Sequence, residues 1–126
     1  MMSDAWVNKR QAEIYKENRR LQDQINRCID VVEHAKIVRK ELKVRFPHLK
    51  FMVRTSRYAG GNSVTVYHKD VDLTKEQEKE IKDFVKQFDG YRGDLCDGRY
   101  NVGFEYKGER LQGASFCMYN HKWYRG

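Results

Sequence analysis

The side chains that could support catalysis or bind a metal are few and widely spaced. Cys117 and His121 are separated by three residues, and together with Cys96 they could supply thiolate and imidazole ligands for zinc. The sequence has no CxxC pair to complete such a site. Ordinary core or surface cysteines are the better interpretation, and we expect no metal and no cofactor.

Two histidines and one group of aspartates are the other candidates for chemistry. His48 and His68 flank a predicted hairpin, and histidine is the usual acid or base near neutral pH, but neither has a plausible partner. Three aspartates in one glycine-rich loop could hold a cation weakly, although their spacing matches no EF-hand. These are Asp89, Asp94 and Asp97. We therefore expect a protein that acts by binding and is not an enzyme.

The distribution of charge is more informative. The chain has 126 residues and a formal net charge of +7. Residues 1–57 contain 14 Lys+Arg and 7 Asp+Glu, whereas residues 58–126 contain 11 of each, so the first part carries the whole excess. Such asymmetry favours a polyanionic partner, either nucleic acid or an acidic protein surface. The alternative is a charged helix that is simply solvated.

The basic residues best placed to contact such a partner lie on one predicted helix and the strand after it. Four of them keep helical spacing on one side of the helix, where they could contact phosphates. On the strand, Arg54 and Arg57 should face opposite sides, and Arg54 alternates outward from Phe51 and Val53. The predicted partner-binding residues are Arg54, Arg57, Lys36, Arg39, Lys40, Lys43 and Tyr67.

Aromatic side chains could add base stacking to these charges. If the helices cover one face of the sheet, we expect Thr65, Tyr67 and Tyr119 to join Arg54 on the other face, where rings and guanidinium groups can stack on bases. The terminal HKWYRG adds a tryptophan and an arginine. The alternative is that these aromatics complete the core or a dimer interface.

The elements that must position these residues begin with a long N-terminal helical region. No Gly or Pro occurs between Ser3 and Phe46, and two interleaved series of mostly apolar residues repeat every seven positions, which is typical of a coiled-coil seam. The apolar stripe is thin at first and widens after Cys28. We therefore divide the chain into a helical arm, residues 1–27, and an α+β domain, residues 28–126. The arm's predicted homodimer seam is Ile14, Asn18, Leu21 and Ile25. An intramolecular helical hairpin with a break near residues 27–34 is the alternative.

The next stretch predicts a β-hairpin. Pro47 lacks a backbone N–H and should end the helix. Residues 50–58 and 62–68 alternate between apolar and polar side chains, as half-buried strands do. Gly60 and Gly61 between them supply the positive φ angles of a tight turn.

The segment AKIVRKELKVRFPHLKFMVRTSRYAGGNSVTVY resembles the signature of a large polyvalent protein-associated domain, type twenty-nine of that series, and the resemblance covers about residues 35–106. It implies a phage, plasmid or conjugative-element setting and an anti-defence role, and it transfers no active site. The match rests on Ile37, Arg39, Leu42, Phe46, Pro47, Lys50, Phe51, Val53, Arg54, Gly60 and Gly61.

The rest of the chain predicts one helix and two strands. Thr74 and Gln77 form a capping box, and an apolar i, i+3, i+4, i+7 stripe follows until Gly90 ends the helix. Residues 100–106 and 114–119 alternate as strands. The predicted fold is α+β: a long N-terminal helical region, then hairpin, helix and hairpin, which form a four-stranded antiparallel sheet with helices on one face.

Three cysteines, the lack of a secretory leader and the lack of a long apolar run favour the cytoplasm of a bacterial host cell, with no membrane contact. Together with the resemblance, these observations give one functional hypothesis. We expect a non-catalytic phage or mobile-element protein that inhibits a host nucleic-acid-targeting defence system, of the anti-CRISPR or anti-restriction type. It would bind the nuclease or its nucleic acid through a basic surface. The alternative is a nucleic-acid-binding accessory protein without an anti-defence role.

Overall fold

The computed structural model describes residues 4–69, 73–93 and 99–120. The described helices all lie before residue 87, and most of the strands are short. In chain order they are α1 (Asp4–Asp23), β1 (Arg27–Cys28), α2 (Val31–Arg45), β2 (Phe51–Tyr58), β3 (Gly61–His68), α3 (Lys75–Lys86), β4 (Tyr91–Gly93), β5 (Arg99–Asn101), β6 (Phe104–Tyr106), β7 (Glu109–Gln112) and β8 (Phe116–Asn120).

The long N-terminal helical region is broken into two helices by residues 24–30. In this stretch β1 pairs in parallel with β7, and the backbone N–H of Asn26 donates to Arg110 O at 2.8 Å. Asp30 then caps α2, since its Oδ1 accepts a hydrogen bond from Val32 N at 2.6 Å. The prediction of one long helical region was therefore wrong in its extent: pairing with β7 and the Asp30 cap satisfy backbone groups that a continuous helix would have bonded internally. None of the described helices is both long and apolar enough to cross a membrane.

The hairpin prediction is confirmed. Helix α2 ends at Arg45, just before Pro47, and β2 and β3 pair antiparallel from Phe51 opposite His68 to Tyr58 opposite Gly61. Of the two glycines expected in the turn, Gly60 lies there, with φ +89°. Gly61 is instead the first residue of β3.

The prediction of a single four-stranded antiparallel sheet was wrong. The strands form three small sheets, with the orders β2-β3-β8, β1-β7-β6 and β4-β5. Strand β8 pairs with β3 in parallel, and the predicted third strand is split into β5 and β6, which belong to different sheets. The split occurs where Gly103 takes a positive φ of 72°, which a continuous strand does not allow.

The helices α2 and α3 cover one face of the β2-β3-β8 sheet, as expected. Val38 and Leu42 of α2 and Val85 of α3 share one core cluster with Val64 and Val66 of the central strand β3. All five are fully buried, at 0–1% exposure. The opposite face of this sheet is consequently left for other contacts.

His34 of α2 links the helices to the segment between β7 and β8. The ring is fully buried: its Nε2 donates to Phe88 O at 3.0 Å, and its Nδ1 accepts from Ala114 N at 2.9 Å. It stacks on the ring of Phe104 at 4.8 Å. Burial lowers the pKa of His34 to about 4, so the ring is neutral at physiological pH.

Candidate nucleic-acid interface

The basic face of α2, which we define as Lys36, Arg39, Lys40 and Lys43, lies on the side of the helix that faces away from the core. The residues that α2 buries are on the opposite side, and all four basic side chains are exposed. Their spacing of three and four residues brings the charges together on one helical surface. The four residues therefore lie on one exposed side of α2, and their role in binding a partner stays a prediction.

The acidic residues near α2 do not neutralise this face. Glu33 lies 3.5 Å from Arg27, and Glu41 accepts a hydrogen bond from Tyr106 Oη at 3.0 Å. Within the described ranges, Lys36, Lys40 and Lys43 make no ion pair and no hydrogen bond. Three lysines thus present uncompensated positive charge to solvent.

Two arginines connect this helix to the edge strand β2. Arg39 Nη2 donates to Val53 O at 3.3 Å, and Arg57 Nη2 lies 3.8 Å from Asp30 Oδ1, with its side chain 71% exposed. Helix α2 therefore runs antiparallel to β2, and its N-terminal end lies beside the end of β2 that leads into the turn. Arg57 lies near that end of the strand, where the carboxylate of Asp30 opposes its charge.

The open face of the β2-β3-β8 sheet carries part of the predicted set. Strand pairing places Arg54, Thr65 and Met118 side by side, and Tyr67 lies beside Met52 in the next row. Arg54 and Met118 are exposed and the others are half-buried. The outward position predicted for Arg54 from its alternation with Val53 agrees with this arrangement.

Arg57 and Tyr119 lie on the other, helix-covered face. Tyr119 is paired with the buried Val66, so the expectation that Tyr119 would line the open face was wrong. The error came from the parallel pairing of β8 with β3, which was not predicted. This pairing decides which residues of β8 face the helices. Burial, together with the negative charge of Glu78, raises the pKa of Tyr119 to about 12.

The residues considered for zinc do not form a described metal site. Cys117 is buried, and burial raises its pKa to about 12, so the thiol of the metal-free chain is protonated at neutral pH. Cys96 and His121 lie outside the described residues. Within the described ranges, no three His, Cys, Asp or Glu side chains are grouped as metal ligands.

The other titratable residues considered for chemistry are Asp89, His68 and His48, and the first two make contacts within the fold. Asp89 Oδ1 accepts from Tyr91 N at 3.2 Å and from Cys117 N at 3.3 Å, so this carboxylate joins β4 to the edge of β8. Burial raises the pKa of Asp89. His68 is buried with Nε2 3.6 Å from Glu78 Oε1, and His48 is exposed beyond the end of α2. Two further predicted loop residues, Asp94 and Asp97, lie outside the described residues.

Three residues of the predicted dimer seam lie on α1, and the fourth, Ile25, lies two residues after its end. Asn18 is only 4% exposed in the single chain, and Ile14, Leu21 and Ile25 are half-buried. Asn18 Nδ2 has no hydrogen-bond partner among the described residues. Dimerisation through this seam stays a prediction.

A cleft that the sequence did not reveal lies between the β2–β3 turn and the β4-β5 sheet. It has a volume of about 580 Å³ and is lined by aromatic rings and side-chain amides. Its four rings are Tyr58, Tyr91, Tyr100 and Phe116, which we call the aromatic cleft. These residues belong to β2, β4, β5 and β8, so only the tertiary fold brings them together, and no local sequence pattern could have indicated the site.

By fold and surface, this chain is a small α+β domain with an exposed basic helix. The family model Large polyvalent protein associated domain 29 matches residues 29–121, which is most of the chain, so the chain belongs to this family. Its domains are associated with large polyvalent proteins of the phage type. The match begins immediately before α2 and excludes α1. No curated protein and no solved structure matches the chain.

Proposed function

We propose that this chain is a non-catalytic binding protein that contacts nucleic acid, or a protein carrying nucleic acid, through the basic face of α2. The observation that carries this proposal is the uncompensated charge of Lys36, Lys40 and Lys43. A partner with many phosphates gains affinity by releasing condensed counterions when such lysines approach it. Arg57 on the neighbouring strand is 71% exposed but contributes less, because Asp30 lies 3.8 Å from it.

The biological role that we propose is inhibition of a host nucleic-acid-targeting defence system, of the anti-CRISPR or anti-restriction type. Membership in a family associated with phage-type proteins supports this setting. Occupying the nuclease, its guide or the target DNA through a basic surface would block the defence without any chemistry. The alternative is an accessory nucleic-acid-binding protein without an anti-defence role.

The binding surface is tested by replacing the three lysines together. We expect Lys36→Ala, Lys40→Ala and Lys43→Ala in one chain to weaken binding of labelled DNA by at least about tenfold at low salt. We also expect the slope of log affinity against log salt to fall by about 2, because each phosphate contact contributes roughly 0.7 to 0.9 to that slope. Fluorescence anisotropy over a salt series measures both quantities.

The chain offers a matched control on α3. Lys75, Lys79 and Lys82 are exposed, have the same spacing of four and three residues, and lie among acidic residues of the same helix. Replacing these three with alanine changes the net charge equally and should leave DNA affinity nearly unchanged. Equal losses from the two triple variants, or wild-type binding that ignores salt, would contradict a specific basic face.

The biological role needs a separate experiment. The tagged chain is expressed in a bacterium with an active defence system, purified, and analysed for bound protein and nucleic acid. Recovery of one nuclease, lost in the α2 triple variant and kept in the α3 triple variant, supports inhibition of defence. Recovery of bulk nucleic acid without a nuclease supports the accessory role instead.

A further inference from the structure

The aromatic cleft has the features of a site for a flat, uncharged ring. Two of its tyrosines reach solvent, with Tyr58 46% exposed and Tyr91 37% exposed. The ring of Tyr91 packs at 5.1 Å on Phe116, which holds it in position. Exposed rings held by packing can take another ring by stacking at little cost in conformational entropy.

The polar groups of the cleft fit the same kind of ligand. Asn62 Oδ1 accepts from Ser115 N at 3.0 Å, which orients this amide so that its NH₂ group stays available. Gln112 Oε1 accepts from Cys28 Sγ at 3.5 Å and is oriented likewise. Amide NH₂ groups donate to the ring nitrogens and carbonyl oxygens of bases. The described residues that line the cleft are all uncharged, so a neutral ring suits this site better than a phosphate.

The cleft lies at the end of β2 that leads into the turn. The backbone carbonyl of Val53 on β2 accepts a hydrogen bond from Arg39 of α2. Tyr58, which lines the cleft, lies five residues after Val53 on the same strand. At about 3.3 Å per residue, the cleft therefore begins roughly 17 Å along the strand from Arg39. Tyr58 lies four residues after Arg54 and Phe116 two residues before Met118, so both rings are on the open face of the sheet, opposite to α2. A nucleic-acid strand whose phosphates contact α2 would pass around the edge strand β2 to place one of its bases in the cleft.

We propose that the aromatic cleft binds an unpaired base of a single-stranded nucleic acid whose phosphates lie on the basic face of α2. This inference rests on the proposed function and restricts the proposed nucleic-acid partner to single strands. A base within a duplex is stacked and paired, so it cannot enter the cleft unless it is first unstacked. Stacking on aromatic side chains tolerates any base, and the affinity should therefore depend little on sequence.

The test compares aliphatic and aromatic replacements at the same two positions. The double variant Tyr58→Leu, Tyr91→Leu removes both rings but keeps apolar side chains, whereas Tyr58→Phe, Tyr91→Phe keeps the rings. We expect the leucine variant to lose at least about fivefold in affinity for an oligothymidylate of about 10 nucleotides and to keep its duplex affinity. The phenylalanine variant should bind both as the wild type does.

A second measurement uses the wild-type chain, so it does not depend on whether the variants fold. Ultraviolet cross-linking of the wild-type chain to a bromouracil-containing strand should attach the strand to Tyr58 or Tyr91. Unchanged single-strand affinity in a folded leucine variant, or cross-links elsewhere only, overturns the cleft proposal while the lysine result still stands. A lysine triple variant that binds DNA like its α3 control overturns the proposed function, and failure of the wild type to bind DNA overturns both.

Discussion

Burial fixes both the tautomer and the charge of His34. Because Nδ1 accepts the Ala114 N–H, the ring proton must be on Nε2, where it is donated to Phe88 O. Protonation would place a second hydrogen against the Ala114 N–H inside the core. The neighbouring Gly113 leaves the room that the ring needs, since a Cβ at that position would overlap His34 Nδ1.

This arrangement predicts a loss of stability in mild acid. The pKa of His34 is about 4 in the folded chain and about 6.5 when unfolded, so the unfolded state takes up the proton first. The contribution of His34 is therefore complete above pH 6.5 and falls as the pH drops toward 4, by about 3 kcal/mol in all. Urea unfolding between pH 7.5 and 4.5 measures it.

The control is His34→Asn, which keeps an acceptor for Ala114 N but does not titrate. We expect it to be less stable than the wild type at pH 7.5 by about 1–3 kcal/mol, because Phe88 O loses its partner. Its stability should also fall less steeply with pH, and the difference between the two slopes isolates His34 from the carboxylates. Parallel slopes would show that this histidine does not titrate as we expect.

Sequence was a good guide to some residues and a poor guide to others. Side chains repeat every two residues in a strand and every 3.6 residues in a helix. These two periods are enough to predict that Arg54 faces outward and that the α2 lysines share one side. The buried position of His34 could not be predicted, because its two hydrogen-bond partners come from segments 54 and 80 residues away. Tyr119 was assigned to the wrong face because its phase depends on pairing with β3.

Among the helices and strands, the features that depend on neighbouring residues in the sequence were predicted correctly. The capping box of α3 is present as expected: Thr74 Oγ1 accepts from Gln77 N at 3.1 Å, and Gln77 Oε1 accepts from Thr74 N at 2.9 Å. Pro47 and Gly60 mark the ends of α2 and β2. The two-residue strand β1 has no periodicity of its own, since it exists only through its pairing with β7.

Gly61 is a position where two elements meet. A Cβ there would lie 2.7 Å from Ser115 Oγ and 3.3 Å from Ser115 Cβ, so a side chain at this position requires Ser115 to shift. We expect Gly61→Ala to destabilise the domain by about 1 kcal/mol or more through this overlap. The added cost should largely disappear in the double variant Gly61→Ala, Ser115→Gly, as measured by a double-mutant cycle in urea unfolding.

Gly60→Ala provides the comparison. A Cβ at Gly60 meets nothing within 4 Å, but the φ of +89° strains any L side chain there. This variant should therefore lose stability through the backbone alone and show no coupling to Ser115→Gly. If Gly61→Ala behaves in the same way, the contact with Ser115 is not what requires a glycine.

At the scale of the whole molecule, uneven charge and fold coincide. The excess of basic residues is confined to residues 1–57, which contain α1, α2 and all but the last residue of β2, and α2 lies beside β2. The uneven distribution of charge along the sequence thereby gives a basic surface on the folded chain. The aromatic cleft and the arrangement of three sheets could not be predicted, because both depend on which distant strands pair and in which direction.

The parallel strand pairings also set an order of events when the chain folds. Residues of β1 and β7 that meet are 84 positions apart, and Asn62 and Ser115, which join β3 to the start of β8, are 53 apart. Closing such long loops costs more entropy than forming the β2–β3 hairpin, so the hairpin and α2 should form first. We expect Val66→Ala to slow folding and Leu111→Ala mainly to speed unfolding, and stopped-flow kinetics would contradict this order if the two effects were reversed.

The order has a consequence for the two surfaces. The basic face of α2 needs only an early-forming helix, whereas the aromatic cleft needs Phe116 of β8 and is complete only at the end of folding. If both proposals hold, a partly folded chain would therefore bind polyanions before it could distinguish a single strand from a duplex.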